Sequence, residues 1–509
     1  MKIFETSKIS QVDTLTMQLE PISHIDLMER AAGVFANYII NETVFAGNVF
    51  VFCGPGNNGG DGLAIARLLA QVSGRFSVHV FLLDFGKGIS GAPAHNLVRL
   101  KNECGIEHVL VNNVESFPAI SSNVMIIDAL FGSGLSRPLS GVAAALVNHI
   151  NSSGALVYSV DIPSGLMGEN NDDSNYDAII KATVTVTFQF PKISFLLPEN
   201  ETVLGKWLVV DIGLHYKAID QVQSPYFLNN SSNITPLLKQ RSKFAHKGVF
   251  GHALLIAGAY GKMGAAALAA QSCLRSGVGL LTVHVPHLGY QIIQTSVPEA
   301  MTSIDESDLM FTSVENIETY NAVGVGPGIG TKVNTQRALK KLIELVKKPM
   351  VLDADALNIL SMNSDWLELM PSQSVITPHP KEFDRLCGNS ETSFGRLKKA
   401  IAFAQKHKLI IVLKGANTQI IEPDGTVWFN TTGNNGMATA GSGDVLSGII
   451  LALLAQGYLP AHAARLGVYL HGLAGDYAYR EFGAEALIAS DIINNIGNAF
   501  KELHHNLSL

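Results

Sequence analysis

The sequence has little of what would place a protein outside a reducing compartment or across a membrane. Only 4 of its 509 residues are cysteine, and Cys53, Cys104, Cys273 and Cys387 stand far apart with no CxxC pair. That argues against a disulfide framework or a zinc cluster and for free thiols. No apolar run reaches the ~18 residues a membrane helix needs, and the opening MKIFETSKISQVD has no apolar signal core. A soluble, cytoplasmic protein without a membrane partner is expected. Positive charge is also short: 36 Lys and Arg against 43 Asp and Glu give a formal net charge of −7, which argues against nucleic acid as a main partner. What the chain does have is glycine, 47 residues of it, clustered rather than spread. Clustered glycine marks tight loops where backbone comes close to something. The length predicts roughly two to four domains.

From residue 47 the pattern is strand, glycine loop, helix, repeated. NVFVFCG (48–54), SVHVFLL (77–83), VMIIDAL (124–130), ALVYSVD (155–161), ATVTVTFQF (182–190) and WLVVDIG (207–213) read as short apolar strands, and GLAIARLLAQV (62–72) as a helix. Near-continuous apolar strands alternating with helices predict a parallel sheet covered on both faces. Residues 216–245, with LNNSSN and little periodicity, read as a connector. A second alternating series follows at 253–258, 279–285, 322–326, 350–355, 374–379 and 409–415, closed by helices from 443 onward. Two α/β domains are expected.

In the first half, GPGNNGGDG (54–62) lies between a strand and a helix, the setting in which backbone N–H groups and a helix end hold phosphate. It has neither the dinucleotide GxGxxG form nor the Lys-Ser/Thr of a Walker loop. DALFGSGLSRP (128–138) and DIPSG (161–165) follow two more strands, so Asp128 and Asp161 are expected at the same carboxyl edge as Asn58. Each Asp alone is more often a helix cap than a catalyst; their convergence is the argument. Oxygen groups from Asn58, Asp128 and Ser164 suit a hard cation.

In the second half, GVGPGIG (324–330), VLDADALN (351–358), ITPHPKEFDRL (376–386) and VLKGANTQII (412–421) each end a strand, and GNNGMATAGSGDVLSGI (433–449) opens a helix. Phosphoryl transfer needs positioning and charge stabilisation more than covalent help. The N–H groups of Gly441–Gly443 would cradle the transferring group, and Asp444, one step on, would accept the proton of the attacking hydroxyl.

The first three segments, in this order and spacing, resemble the NAD(P)HX epimerase family, which interconverts the epimers of hydrated NAD(P)H. The resemblance implies a Rossmann-like three-layer sandwich. It implies substrate contacts at Asn57, Asn58, Gly59, Gly60 and Asp61, at Gly132, Ser133, Gly134, Leu135, Ser136, Arg137 and Pro138, and at Asp161. It further implies K+ held by Asn58, Asp128 and Ser164, and Asp161 as the acid–base residue with Lys192 of FPKIS beside it. GSGD within its strand series resembles the ribokinase-like fold. HKGxxG, GPGIG, LDADALN, TPHPxEF, KGANT and GNNGMATAGSGDVLSGI narrow that resemblance to the ADP- or ATP-dependent NAD(P)HX dehydratases. This second resemblance implies nucleotide contacts at Lys414, Gly415, Ala416, Asn417, Thr418 and Gly443. Hydrate contacts fall at Ala265, Gly328, His379 and Asp444, with Asp444 as base and Mg2+ accompanying the nucleotide.

Both resemblances in one chain, epimerase first, resemble a bifunctional NAD(P)H-hydrate repair family, with an epimerase domain at 1–215, a linker at 216–245 and a dehydratase domain at 246–509. The implied partners are NADHX, NADPHX and an adenine nucleotide, ADP ahead of ATP, in a homo-oligomer. Lys381 stands where that family commonly has Gly, and its side chain is expected in solvent. Asp353 and Asp355 read either as organisers of the metal through water or as strand-end caps. The rival reading is a ribokinase-type small-molecule kinase whose first half is a regulatory ligand-binding module; it uses the same Asp444 and keeps its phosphorylated product.

Overall fold

The computed structural model describes residues 1–86 and 88–507. The chain divides into two compact units, Lys2–Ser224 and the part from Pro225 onward, with Thr392–Phe394 grouping with the first.

The first unit is built on seven strands: β1 (Gly47–Cys53), β2 (Phe76–Leu83), β3 (His108–Val111), β4 (Met125–Ala129), β5 (Leu156–Val160), β6 (Val184–Phe188) and β7 (Lys206–Val210). All pairs are parallel, in the order β3-β2-β1-β4-β5-β6-β7. Along β1, Val49, Val51 and Cys53 enter one apolar cluster with Leu63, Ile65 and Leu69 of the helix Asn57–Ala70, while Phe52 enters another with Leu146 and Ile150 of the helix Gly141–Asn151. The period-2 backbone thus buries both faces, which is why the strands read as unbroken apolar runs. The strand order reverses between β1 and β4, and in such sheets the crevice for a ligand opens there, beyond the carboxyl ends.

The second unit carries β8 (Tyr226–Asn229), β9 (His252–Ile256), β10 (Leu280–Val285), β11 (Met301–Ile304), β12 (Ala322–Val325), β13 (Met350–Leu352), β14 (Val375–Ile376), β15 (Ile410–Leu413), β16 (Gln419–Ile421) and β17 (Val427–Asn430). Their order is β8-β17-β16-β15-β14-β13-β12-β9-β10-β11. β16 runs antiparallel to both its neighbours and the other pairs are parallel. The helix Ser442–Ala455 lies against the helix Met263–Arg275. A Cβ at Gly448 would come 2.2 Å from the Ala269 carbonyl oxygen, so the absence of a side chain there sets how close the two helices run.

Residues 216–245 differ from the irregular connector expected. They hold a helix at Tyr216–Gln221 and β8, which pairs with β17; Phe227 stacks on Trp428 at 4.5 Å, and the Arg465 guanidinium lies 3.4 Å over the same ring. A strand of four residues among Asn and Ser is too short to show a period in sequence. All four cysteines are free, and burial pushes the Cys53 and Cys273 thiols up.

Candidate active sites

In the first unit, the loop after β1 turns sharply into the helix Asn57–Ala70. A Cβ at Gly59 would lie 1.8 Å from the Gly54 carbonyl oxygen, so only glycine allows the turn. The turn carries Asn58 to Gly132, whose own Cβ would meet Asn58 Cγ at 3.3 Å. Asn58 Nδ2 is buried with no hydrogen-bond partner. At the end of β4 the wholly buried Asp128 accepts from Ser159 Oγ (2.8 Å), Ser164 N (2.9 Å), Ser164 Oγ (2.5 Å) and Leu130 N (3.3 Å). Burial pushes its carboxyl up, and the Ser164, Ser159 and Leu130 donors pull against that.

Asp161, just past β5, sits in the left-handed region at φ 65°, a conformation other residues than glycine hold only when their surroundings enforce it. Its Oδ1 accepts from Lys192 Nζ at 2.7 Å, Thr187 Oγ1 at 3.1 Å and Phe188 N at 3.1 Å. Lys192 is buried and also donates to Thr187 Oγ1 and the Phe190 carbonyl. Asp61, one turn into its helix, is held well above the ordinary carboxyl range by burial first, then by the charges of Asp161 and Asp13. Gly134, Ser136 and Arg137 form an exposed rim, with Ser133, Leu135 and Pro138 half-buried.

In the second unit, the carboxyl ends of β9, β12, β13, β14 and β15 supply one cluster. Gly441, at φ 87°, starts the helix Ser442–Ala455, and Asp444 stands in its first turn. Asp353, buried at the end of β13, accepts from Lys414 Nζ at 3.0 Å and from Ser447 Oγ at 2.6 Å. Lys414 Nζ is also 3.8 Å from Glu382 Oε2 and would lie 3.3 Å from a Cβ at Gly443. Burial works against the Lys414 ammonium, but the charges of Asp353 and Glu382 outweigh it and raise its pKa. Burial, followed by the charge of Asp353, lifts Asp444 to about 7, with Lys414 opposing.

The neighbouring residues fit around this cluster. His379 caps the helix Pro380–Cys387: its Nδ1 accepts from Lys381 N and Glu382 N, and its own N–H donates to Glu382 Oε2 at 2.8 Å. The Lys381 side chain is exposed. Ala265 and Gly328 face each other, a Gly328 Cβ lying 3.3 Å from Ala265 Cβ. Ala354, at φ 50°, turns the chain between two carboxylates, so Asp353 points into the cluster while Asp355 accepts from Gly330 N (2.8 Å) and Lys262 Nζ (3.1 Å). Gly415, Ala416, Asn417 and Thr418 form the turn from β15 to β16, with Thr418 Oγ1 bonded to Gly415 O. HKGVFG instead leads into the amino end of β9, away from the cluster; there a Cβ at Gly251 would strike the Ala455 carbonyl oxygen.

Several residues of these clusters have no role in the sequence reading. Ser447 and Glu382 lie inside quoted motifs, one helical turn from Asp444 and His379, and that spacing was the available signal. His471 bonds Ser442 Oγ at 3.2 Å, and Asp476 accepts from Gly433 N and Asn434 Nδ2. Burial holds His471 down at about 4, hence neutral at pH 7.

Residues 24–194 match the family described as the YjeF-related protein N-terminus, and residues 253–498 match NAD(P)H-hydrate dehydratase. The chain is 35% identical over 527 residues to the bifunctional NAD(P)H-hydrate repair enzyme Nnr of Moorella thermoacetica, covering 100% of this chain and 98% of that one. Against the protein of the same name from Escherichia coli it is 34% identical over 449 residues, covering 88% and 84%. A solved ribokinase-like superfamily protein from Enterococcus faecalis aligns with TM-score 0.50 at 28% identity, over 55% of this chain and 97% of its own. These likenesses favour the repair reading over a kinase with a regulatory first half.

Proposed function

Since the chain belongs to the bifunctional NAD(P)H-hydrate repair enzyme family, we propose that its two sites divide one repair. The first interconverts the R and S epimers of NAD(P)HX. The second dehydrates the S epimer to NAD(P)H at the expense of ADP or ATP, releasing AMP or ADP and phosphate. One observation carries the second assignment: Asp444 stands beside a glycine-started helix N-terminus, with Lys414 and the buried Asp353 next to it. Backbone N–H groups there hold the phosphoryl group. Asp444 takes the proton of the hydrate's C6 hydroxyl as that oxygen attacks phosphorus. Phosphate then leaves C6 with its bonding electrons, a proton leaves C5, and the ring double bond returns. Phosphate is a far better leaving group than hydroxide, which is why a nucleotide is consumed.

Mg2+ would come with the nucleotide and neutralise charge on the donor phosphates, organised through water by Asp353 and Asp355. The described residues form no ready carboxylate cage for it: Asp353 is engaged by Lys414 and Ser447, and Asp355 by Gly330 N and Lys262. At the first site the side-chain oxygens of Asn58, Asp128 and Ser164 are hard donors that suit a cation, while the buried Asn58 Nδ2, which has no partner, is an N–H donor that suits an acceptor oxygen of the substrate. K+ held by these three would fix the loops that carry Asn58 and Gly132. Asp161, paired with Lys192, is the acid–base residue.

The test supplies both NADHX epimers, Mg2+, K+ and either ADP or ATP, and follows NADH by absorbance. Conversion of both epimers supports the reading, and the faster nucleotide is the natural donor. A folded protein that binds nucleotide yet forms no NADH with either donor refutes it.

A further inference from the structure

HKGVFG, which lies away from the second site, borders a cavity of about 480 Å³ at the amino end of β9. Its Val249 and Phe250 form part of the wall, and Leu238 and Phe500 add apolar surface. The wall also carries Lys239, Arg241, Arg275 and His504, and no Asp or Glu. That reverses the balance of a chain whose net charge is −7, and the sequence shows how: residues 221–298 contain no Asp or Glu at all. The helix Ser442–Ala455, which carries Asp444 in its first turn, ends at this cavity with Gln456. Its 14 residues span about 21 Å, so the cavity is no extension of the second site.

Neutral partners hold the cations in place. Lys239 Nζ donates to Gln456 O at 3.0 Å and lies 4.6 Å over the Tyr458 ring, while the Lys239 backbone N donates to Tyr458 Oη at 3.0 Å. Arg241 stacks 4.0 Å over Phe250, and its Nη2 donates to Gln456 Oε1 at 3.1 Å and to Gly277 O. Gln456 is fixed in turn by its Nε2, which donates to Ser276 O and Ala452 O at 2.9 Å. The Arg275 guanidinium is exposed and makes no hydrogen bond or ion pair among the described residues. Capping accounts for part of this arrangement, because the helices Met263–Arg275 and Ser442–Ala455 both end here. Each end carries roughly half a negative charge, about one in total, against the full charges of Lys239, Arg241 and Arg275. A surplus of about two positive charges remains, and the wall holds no carboxylate to meet it.

We propose that this cavity binds a small molecule carrying a di- or polyphosphate group, with the phosphoryl oxygens among Lys239, Arg241 and Arg275. Arg241 Nε and Nη1 make no hydrogen bond among the described residues and are left to donate to such an anion. Lys239 and Arg241 reach it already ordered by Gln456, Tyr458 and Phe250, so less side-chain freedom is lost on binding. The volume lies in the range of small-molecule sites, and the apolar wall of Leu238, Val249 and Phe500 suits the organic part of a nucleotide. A nucleoside diphosphate and free pyrophosphate share the anionic chemistry, and titration separates them.

The test is calorimetric titration of the full chain with ADP and, separately, with inorganic pyrophosphate. Low salt keeps the exposed charges unscreened, and omitting Mg2+ leaves the phosphoryl charge uncovered. A binding event is expected that Arg275→Glu weakens roughly 10-fold or more. Any event at the second site keeps its wild-type affinity in that variant. Should Arg275→Glu not fold, Lys239→Gln reads the same selective loss. ADP binding the cavity more tightly than pyrophosphate makes a nucleotide the ligand, and equal affinity makes the phosphoryl groups the whole of it. A wild-type protein whose every binding event is unchanged in both variants overturns the proposal, as does one that binds neither probe.

Discussion

Asp444 is a residue whose chemistry comes from where it is held. Burial and the Asp353 charge bring its carboxyl to about 7, so it changes between acid and base in the working range. As a base it must be ionised, and dehydration is therefore expected to rise as pH passes upward through about 7. Asp353→Asn removes the largest charge acting on it, so in that variant the rise shifts to lower pH while the rate falls, Lys414 having lost the nearer of its two carboxylates. An unmoved rise would show that Asp353 does not act on Asp444. Stability runs the other way. Between pH 3.8, the ordinary value, and about 7 the unfolded chain releases a proton that the folded chain keeps, so folding weakens as pH rises through that window. Asp444→Asn is expected to abolish dehydration yet unfold at a higher temperature than wild type at pH 8, by an amount on the order of 2 kcal/mol. A calorimetric scan of both proteins decides it, and a lower midpoint for the variant contradicts the assignment.

The helix Ser442–Ala455 makes a site only because of how it begins. Gly441 holds φ 87°, and a Cβ there would lie 2.5 Å from Leu268 Cδ1. Gly441→Ala is therefore strained in backbone and crowded in side chain, with an expected cost of about 1–3 kcal/mol and loss of nucleotide-driven dehydration, while epimer interconversion persists. Denaturant titration and the two assays check this, and a fully active variant would mean the turn is dispensable. Such glycine turns were legible in the sequence because each follows an apolar strand and precedes a helix, and that context pointed to the two clusters of side chains that the fold brings together. Other elements were not legible. β16 and β17 follow KGANT, which the family resemblance marked as a nucleotide loop, and which is also the tight turn of an antiparallel hairpin. β8 is too short to carry a period.

For the whole molecule, the two sites are chemically complementary but share no residue: one inverts a carbon with protons alone, the other consumes a nucleotide at a carbon of one hand. A chain carrying both handles a mixture of epimers that neither site clears alone. Asp161 is the residue that separates them, since its partners Lys192, Thr187 and Phe188 all lie in the first unit. Asp161→Asn keeps the side-chain shape and removes the proposed base and the ion pair with Lys192. Given both epimers, Mg2+ and saturating nucleotide, wild type should form NADH in one continuous phase to completion. Asp161→Asn should form it in two: a fast phase that exhausts the S epimer at the wild-type rate, then a slow phase limited by uncatalysed epimerisation of the R epimer. Added protein bearing Asp444→Asn, whose first site is intact, should restore the single phase by supplying epimerisation in trans. If Asp161→Asn still clears the mixture in one phase, proton transfer at the first site does not depend on Asp161. If its fast phase is also slowed, the substitution has reached beyond the first site, and the division of labour between the units fails.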